Sequence, residues 1–300
     1  MSLFDELVNE ALKNRQDLAP LRVVVEKELL HHDIMLALSS AGMLARLTFI
    51  GGTCLRACYG SNRLSEDLDF TGGADFNRDN LTELAHVLVS TLKIKYGLEV
   101  EVSEPVRETG NVDTWKLKVQ TRPGRRDLPP QRINIDVCAI PSYQPQPMLL
   151  LNPYGVEMGT SGLILQAETR EEIYVDKIVA FALRPNRIKN RDLWDMVWLR
   201  QQGTTPKLEL ITKKLGDHHS DQSEFLSLFK ERSMLLDADP KIVVDFRKEM
   251  SRFLPRELVT QTVNDPDFWT FLVAHIRELF VLTENSLKGV QRVPGADFKM

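Results

Sequence analysis

Leu47-Thr48-Phe49-Ile50-Gly51-Gly52-Thr53, continued by Arg63-Leu64-Ser65-Glu66-Asp67-Leu68-Asp69-Phe70, is the stretch on which the fold turns. Leu47 to Ile50 is a short apolar run closed by two glycines, the grammar of a buried strand that ends in a tight turn. Thr53 is expected to cap a helix over roughly Cys54 to Tyr59. The first N–H groups and positive dipole end of that helix would face the Gly51-Gly52 turn, which makes the turn a candidate anion site. Asp67 and Asp69 lie two apart at the start of the next strand-like run, so alternation puts both carboxylates on one face of a sheet.

Two hard oxygen donors side by side suit Mg²⁺, with Mn²⁺ as the alternative. An ion there would bridge the carboxylates and the phosphates of a nucleotide held by the glycine turn. Gly51-Gly52-Thr53 followed by Arg63-Leu64-Ser65-Glu66-Asp67-Leu68-Asp69-Phe70 resembles the first motif of the AbiEii/AbiGii nucleotidyltransferase toxins. These belong to the DNA polymerase beta-like superfamily and are the toxin halves of type IV toxin–antitoxin and phage-abortive systems. A lone Gly-Gly-Thr or Asp-x-Asp is weak; joined through Arg-x-Ser-Glu they are specific. The plain alternative is a turn and a solvated strand end.

Composition narrows the class. Three hundred residues, 43% hydrophobic and 27% charged, describe an ordinary globular chain of one large domain or two average ones. A net charge of −4 argues against coating nucleic acid by bulk positive charge, so any such contact needs local basic patches. No apolar run approaches the ~20 residues that span a bilayer, and the first residues lack a signal-peptide layout, so a cytoplasmic protein without membrane contact is expected. Cys54, Cys58 and Cys138 are too few and wrongly spaced for a zinc site or a disulfide framework, and the Cys54/Cys58 pair reads as helix packing.

Amphipathic runs over Leu3–Asn14 and Leu18–Leu47 predict N-terminal helices, with His31-His32 on a partly exposed helix surface. Asn77 to Tyr96 reads as a crossover helix. Gly97–Ser103, Trp115–Val119 and Ile133–Ile140 read as strands, with a basic turn at Arg122-Pro123-Gly124-Arg125-Arg126-Asp127. On the third of these strands Asp136 faces the same way as Asn134 and opposite Ile133, Ile135 and Val137. It resembles the third carboxylate of polymerase beta-like enzymes; because the AbiEii toxins are irregular here, a metal ligand and a strand-end aspartate both stand. Pro141 to Pro153 reads as a loop or linker, Leu163–Ala167 as a short strand, and Thr169 with Glu172 as the capping box of a helix to Arg184.

Lys177 and Arg184, seven apart, share a face of that helix. With Lys189-Asn190-Arg191-Asp192-Leu193-Trp194-Asp195 at the start of the next one, they resemble the later AbiEii motifs: the functional lysine maps to Lys177 and the motif aspartate to Asp192, with Asp195 a packing or salt-bridging residue. Lys177 would neutralise phosphate charge, and Asp192 would orient it or act as base. The alternative is an ordinary surface helix pair. Arg184, Arg187, Lys189 and Arg191 form a local basic run suited to phosphate or RNA backbone. From Pro206 helices follow at Lys207–Leu215, Gln222–Lys230, Pro240–Phe253 and Pro266–Leu282, and the resemblance, covering about Leu47 to Leu199, gives no reading of them.

The expected fold is α/β (α+β): N-terminal helices (1–45), a nucleotidyltransferase core with a mixed sheet (46–165), and a helical domain carrying the lysine and Arg-Asp motifs (166–300). The resemblance implies Mg²⁺-dependent transfer of a nucleoside monophosphate from a nucleoside triphosphate to RNA, the 3′ end of tRNA being the favoured acceptor, countered by a winged-helix antitoxin. Asp67, Asp69, Lys177 and Asp192 would be catalytic. Gly51, Gly52, Thr53, Arg63, Ser65, Arg184 and Arg191 would hold the nucleotide, and Asp67, Asp69 and Asp136 the metal. Transfer to a protein or small molecule, and a non-catalytic nucleotide-binding module, remain open on the sequence alone.

Overall fold

A seven-stranded mixed sheet in the order β3-β4-β5-β2-β1-β7-β6 carries the chain. The structure is a computed structural model that describes residues 2–106, 110–122, 124 and 129–289. The strands are β1 (Thr48–Ile50), β2 (Leu68–Thr71), β3 (Val100–Ser103), β4 (Val112–Val119), β5 (Gln131–Cys138), β6 (Pro145–Leu149) and β7 (Ile164–Glu168). Antiparallel β1/β2 and parallel β2/β5 and β1/β7 form the middle of the sheet. Each strand alternates as its residues demand: Trp115, Leu117 and Val119 of β4 and Ile133, Ile135 and Val137 of β5 are buried on one face, while Lys116, Lys118 and Arg132 point to water on the other.

Helices α1 (Leu3–Asn14), α2 (Arg22–Ser40), α3 (Gly51–Tyr59) and α4 (Leu84–Tyr96) come first, with α2 packed on β5 and α4 on β3. After the sheet come α5 (Arg170–Leu183), α6 (Asn190–Gln201), α7 (Ile211–Asp217), α8 (Gln222–Ala238), α9 (Pro240–Met250), the single turn α10 (Arg256–Leu258) and α11 (Pro266–Leu287). Side-chain caps from Ser2, Thr169, Asp221, Asp239 and Asp265 start five of them, with proline at the first helical position of α9 and α11. One apolar cluster runs from Phe4 in α1 to Leu279 in α11. The helical C-terminal part is thus the one expected, with α8 and α11 longer than their sequence patterns; residues 290–300 lie outside the described residues.

Several local expectations are corrected. The run Leu18–Leu47 divides into a 3-10 turn at Gln16–Leu21, α2, and a second 3-10 turn at Met43–Arg46, because Gly42 adopts φ 72° and ends the helix. His31 and His32 are buried: α2 is surrounded by other elements, so even its polar residues face inward. His31 Nε2–H donates to the Glu66 carbonyl at 3.0 Å, and His32 Nδ1 meets Thr160 Oγ1 at 2.8 Å. The proline-rich segment holds edge strand β6, paired to β7; an edge tolerates Pro145 and Pro147 because their missing N–H groups face away from the partner. Thr169 caps α5, but Glu172 does not complete a capping box, since its carboxylate accepts from the Tyr143 and Gln144 N–H groups and pairs with Lys214 at 2.7 Å. Of the basic turn, Pro123, Arg125, Arg126 and Asp127 lie outside the described residues, while Arg122 pairs with the buried Glu26 instead of facing water.

Helix α2 also anchors the loop between α3 and β2. The Glu28 carboxylate accepts from the Ser65 N–H at 2.8 Å, pairs with Arg56 at 3.1 Å and accepts from the Tyr154 hydroxyl. Lys27 pairs with Glu66 at 2.8 Å. Truncating Glu28 leaves the buried Arg56 guanidinium without its counter-ion, so Glu28→Ala is expected to cost about 3–5 kcal/mol. A denaturant midpoint unchanged from the parent protein would remove this anchoring role.

Candidate active site

Gly51 and Gly52 are required for two different reasons. Gly51 has φ 74°, and a Cβ there would lie 3.1 Å from Asp69 Oδ2. At Gly52 a Cβ would run into the Arg63 guanidinium, which occupies that space. The helix begins at Gly51 itself with Ile50 as its N-cap, so the expected capping by Thr53 is corrected. The Thr53 hydroxyl instead sits 2.5 Å from Ser65 Oγ and donates to the Asp67 carbonyl, tying the helix to the returning chain.

Around this helix start lies a cavity of about 80 Å³ lined by Gly52, Thr53, Arg63, Ser65, Asp67, Asp69, Asp136, Lys177, Lys189, Arg191 and Asp192. The register explains the carboxylates. Asp69 is the cross-strand partner of Asp136 in the parallel β2/β5 pair, and Asp67 stands two residues before Asp69. Asp67 Oδ1 accepts from the Asn134 N–H at 2.9 Å, and Asp136 Oδ1 accepts from the Thr114 hydroxyl at 2.6 Å, leaving each with a second oxygen. Burial and neighbouring carboxylates raise the pKa of Asp69 and of Asp136 above the usual aspartate value.

Among the described residues no three histidine, cysteine or carboxylate side chains converge closely enough to make a ready-made metal cage. Mg²⁺ is ordinarily held by one or two carboxylates together with waters and substrate phosphates.

The opposite wall is a buried chain of charges. Arg63 makes two parallel hydrogen bonds to Asp195, both 2.9 Å; Lys177 Nζ lies 3.0 Å from Asp195 and 2.6 Å from Asp192; Arg184 reaches Asp192 at 3.2 Å. Burial alone would push Asp192 up, but Lys177, Lys189 and Arg184 outweigh it and hold the carboxyl well below the usual range. Asp195 is lowered likewise by Arg63 and Lys177 against its burial, and the two aspartates in turn raise Lys177. Arg191 pairs with Glu66 at 3.8 Å and Glu249 at 3.3 Å and stacks over Phe253.

The basic run 184–191 is therefore not one patch. Arg184 and Arg191 are held by carboxylates, and Arg187 lines a separate groove with Asn186, Leu228 and Arg232. Lys189 is the group that sequence reasoning under-read. It lines the cavity, has no ion pair with a described residue, and is lowered in pKa by burial. No periodic signal marks it, because it precedes α6 as the N-cap residue. The C-terminal part was also under-read, since Phe253 O accepts from the Leu64 N–H at 2.9 Å and so fixes the loop that carries Arg63 and Ser65.

This division of labour is measurable. Arg63→Ala should cost about 3 kcal/mol, because Asp195 is left with Lys177 alone; Lys189→Ala should leave the melting temperature unchanged. Since Asp195 is held below its ordinary 3.8, the stabilisation from the pair is in place above that pH and fades as the pH falls further. The Arg63→Ala penalty should accordingly shrink in acid; an equal penalty at every pH would mean that packing rather than charge carries it.

The profile of the family described as "Nucleotidyl transferase AbiEii toxin, Type IV TA system" matches residues 33–274, well beyond the stretch whose motifs carry the resemblance. No curated protein matches. Among solved structures, JHP933 from Helicobacter pylori superposes with a TM-score of 0.48 at 18% identity, covering 90% of this chain and 98% of that one. A second H. pylori protein, described as a candidate nucleotidyltransferase, gives 0.45 at 16% identity with the same coverage. With the family profile spanning most of the sequence, the chain belongs to the AbiEii nucleotidyltransferase toxins of type IV toxin–antitoxin systems.

Proposed function

We propose that the cavity binds a nucleoside triphosphate and transfers its nucleoside monophosphate to the hydroxyl of an RNA, with a tRNA 3′ end as the preferred acceptor. The observation that carries this reading is the meeting, around one cavity, of a helix N-terminus, the carboxylates of Asp67, Asp69 and Asp136, and Lys189, which has no ion pair with a described residue. In the reaction the acceptor hydroxyl oxygen bonds to the α-phosphorus and its proton passes to solvent, the bond from that phosphorus to the bridging oxygen breaks, and pyrophosphate leaves. Asp67 and Asp69 would hold Mg²⁺, or Mn²⁺ in its place, together with substrate phosphates, with Asp136 lining the same cavity. Bound there, the ion supplies Lewis-acid stabilisation of charge on the transferring phosphoryl group.

The chain's own residues divide the remaining work. The free N–H groups at the start of α3 offer donors to phosphate oxygens. Lys189, unpaired and facing the same cavity, is the cation available to the triphosphate. Lys177 is saturated by Asp192 and Asp195, so it orients the wall rather than titrating during turnover. Asp192, held so far below the usual range, is a poor proton acceptor at neutral pH and acts as the anchor for Lys177 and Arg184. Ser65 and Arg63 steady the loop through Thr53 and Asp195. The antitoxin counterpart and the triphosphate substrate follow from the family; among the described residues no helix is long and apolar enough to cross a membrane.

Incubation with each labelled triphosphate, Mg²⁺ and total RNA tests the reading. Label is expected in a ribonuclease-sensitive product with matching pyrophosphate release. Asp69→Asn should abolish both while the protein stays folded, and Lys189→Ala should raise the KM for triphosphate at least tenfold with an unchanged melting temperature. Label that survives ribonuclease and disappears with protease would replace RNA by a protein acceptor. Nucleotide binding without any pyrophosphate release would leave only a binding module.

A further inference from the structure

The sheet face that carries the three carboxylates does not stop at the cavity. Along β5, Asp136, Asn134 and Arg132 alternate onto that face, and their β4 partners are Thr114, Lys116 and Lys118. Lys116, Lys118 and Arg132 are exposed. Lys116 and Arg132 have no ion pair with a described residue, and Lys118 has one, to the highly exposed Glu101 at 3.3 Å. Helices α2 and α4 pack on β5 and β3, where Gln131, Ile133, Ile135 and Val137 are buried, so this other face stays open.

We propose that this open face of β4 and β5 is the track along which a single-stranded nucleic acid reaches the site, its terminal hydroxyl at Asp136 and its upstream phosphates on Lys116, Lys118 and Arg132. The proposal rests on the RNA-acceptor reading above and deepens it. Four residues of strand separate Arg132 from Asp136, about 13 Å, a span of a few nucleotides. Lys116 and Lys118 stand about 7 Å apart along β4, within reach of neighbouring phosphates of one strand. Charge favours a polyanion, since two unpaired cations and a third held only by an exposed carboxylate lie in line with a site that handles phosphate. The track strands carry no exposed aromatic side chain on which bases would stack, so recognition is of backbone charge and insensitive to sequence. The run 184–191 is a weaker claimant because Arg184 and Arg191 are already held by carboxylates.

The test compares the full-length protein with Lys116→Ala/Lys118→Ala/Arg132→Ala and with a control, Lys230→Ala/Lys241→Ala, on exposed helix surface. Binding to a labelled 12-nucleotide single-stranded RNA is followed as a function of salt, alongside triphosphate binding. The expected result is that the triple variant binds RNA at least tenfold more weakly, with a salt slope reduced by about 2, while triphosphate affinity and melting temperature match the parent protein. The control should bind as the parent does. If the parent binds RNA and the triple variant binds it equally with the same slope, the track is wrong and the acceptor reading survives. If the parent does not bind RNA at any salt concentration and labels protein instead, the acceptor reading falls and takes the track with it.

Discussion

The buried chain Arg63–Asp195–Lys177–Asp192–Arg184 is the constraint on which the site depends. Its members come from the loop before β2, from α5 and α6, and from the residue that ends α5, so the ion pairs hold together segments more than a hundred residues apart in sequence. Burying Arg63, Asp195, Lys177 and Asp192 is costly unless each finds a partner, and the cost is met here by an alternation of sign that ends on the partly exposed Arg184. Such a network tolerates few geometries. Gly52 is part of it, because the Arg63 guanidinium lies where any side chain at that position would begin. The glycine turn is therefore shaped by the ion pair behind it as much as by any ligand in front.

A second set of contacts holds the same loop from the far side. Glu28, His31 and Lys27 of α2 bind Ser65, the Glu66 carbonyl and the Glu66 carboxylate, and Phe253 accepts from Leu64. N-terminal helix and C-terminal part thus converge on one short segment. That segment presents Arg63 and Ser65 on one side and delivers Asp67 and Asp69 into β2 on the other. A loop anchored at successive residues leaves little freedom for the carboxylates it precedes, which is what preorganised binding of charge requires.

The two walls of the cavity are electrostatic opposites in design. On the sheet side, Asp69 and Asp136 are raised in pKa, chiefly by burial. On the helix side, Asp192 and Asp195 are paired with Arg63, Lys177 and Arg184, whereas Lys189, which lines the cavity, has no ion pair with a described residue. The polyphosphate with its counter-ions that we propose as substrate would complete both at once. The open face of β4 and β5 continues the cationic character outward, whereas the opposite face of the same strands is closed by helices.

Much of this was written locally. The apolar run into Gly51-Gly52 marked a buried strand that ends at the glycines, although the helix begins at Gly51 itself; the spacing of Asp67 and Asp69 marked their shared face because extended side chains alternate. Thr169, Asp239-Pro240 and Asp265-Pro266 marked helix starts through capping chemistry that acts within a turn. Tertiary structure decided what depends on distant partners. His31 and His32 are buried because helices and sheet enclose α2 on all sides, which no periodicity within α2 reveals. Arg184 and Arg191 look like a free basic patch in sequence, yet Asp192, Glu66 and Glu249 neutralise them; Lys189, between them, is left facing the cavity. Pro145 and Pro147 belong to a strand because that strand lies at an edge, where a missing N–H breaks no ladder. The pairing of Asp69 with Asp136 is a matter of register between strands some sixty residues apart, set by which faces of β2 and β5 the core must bury.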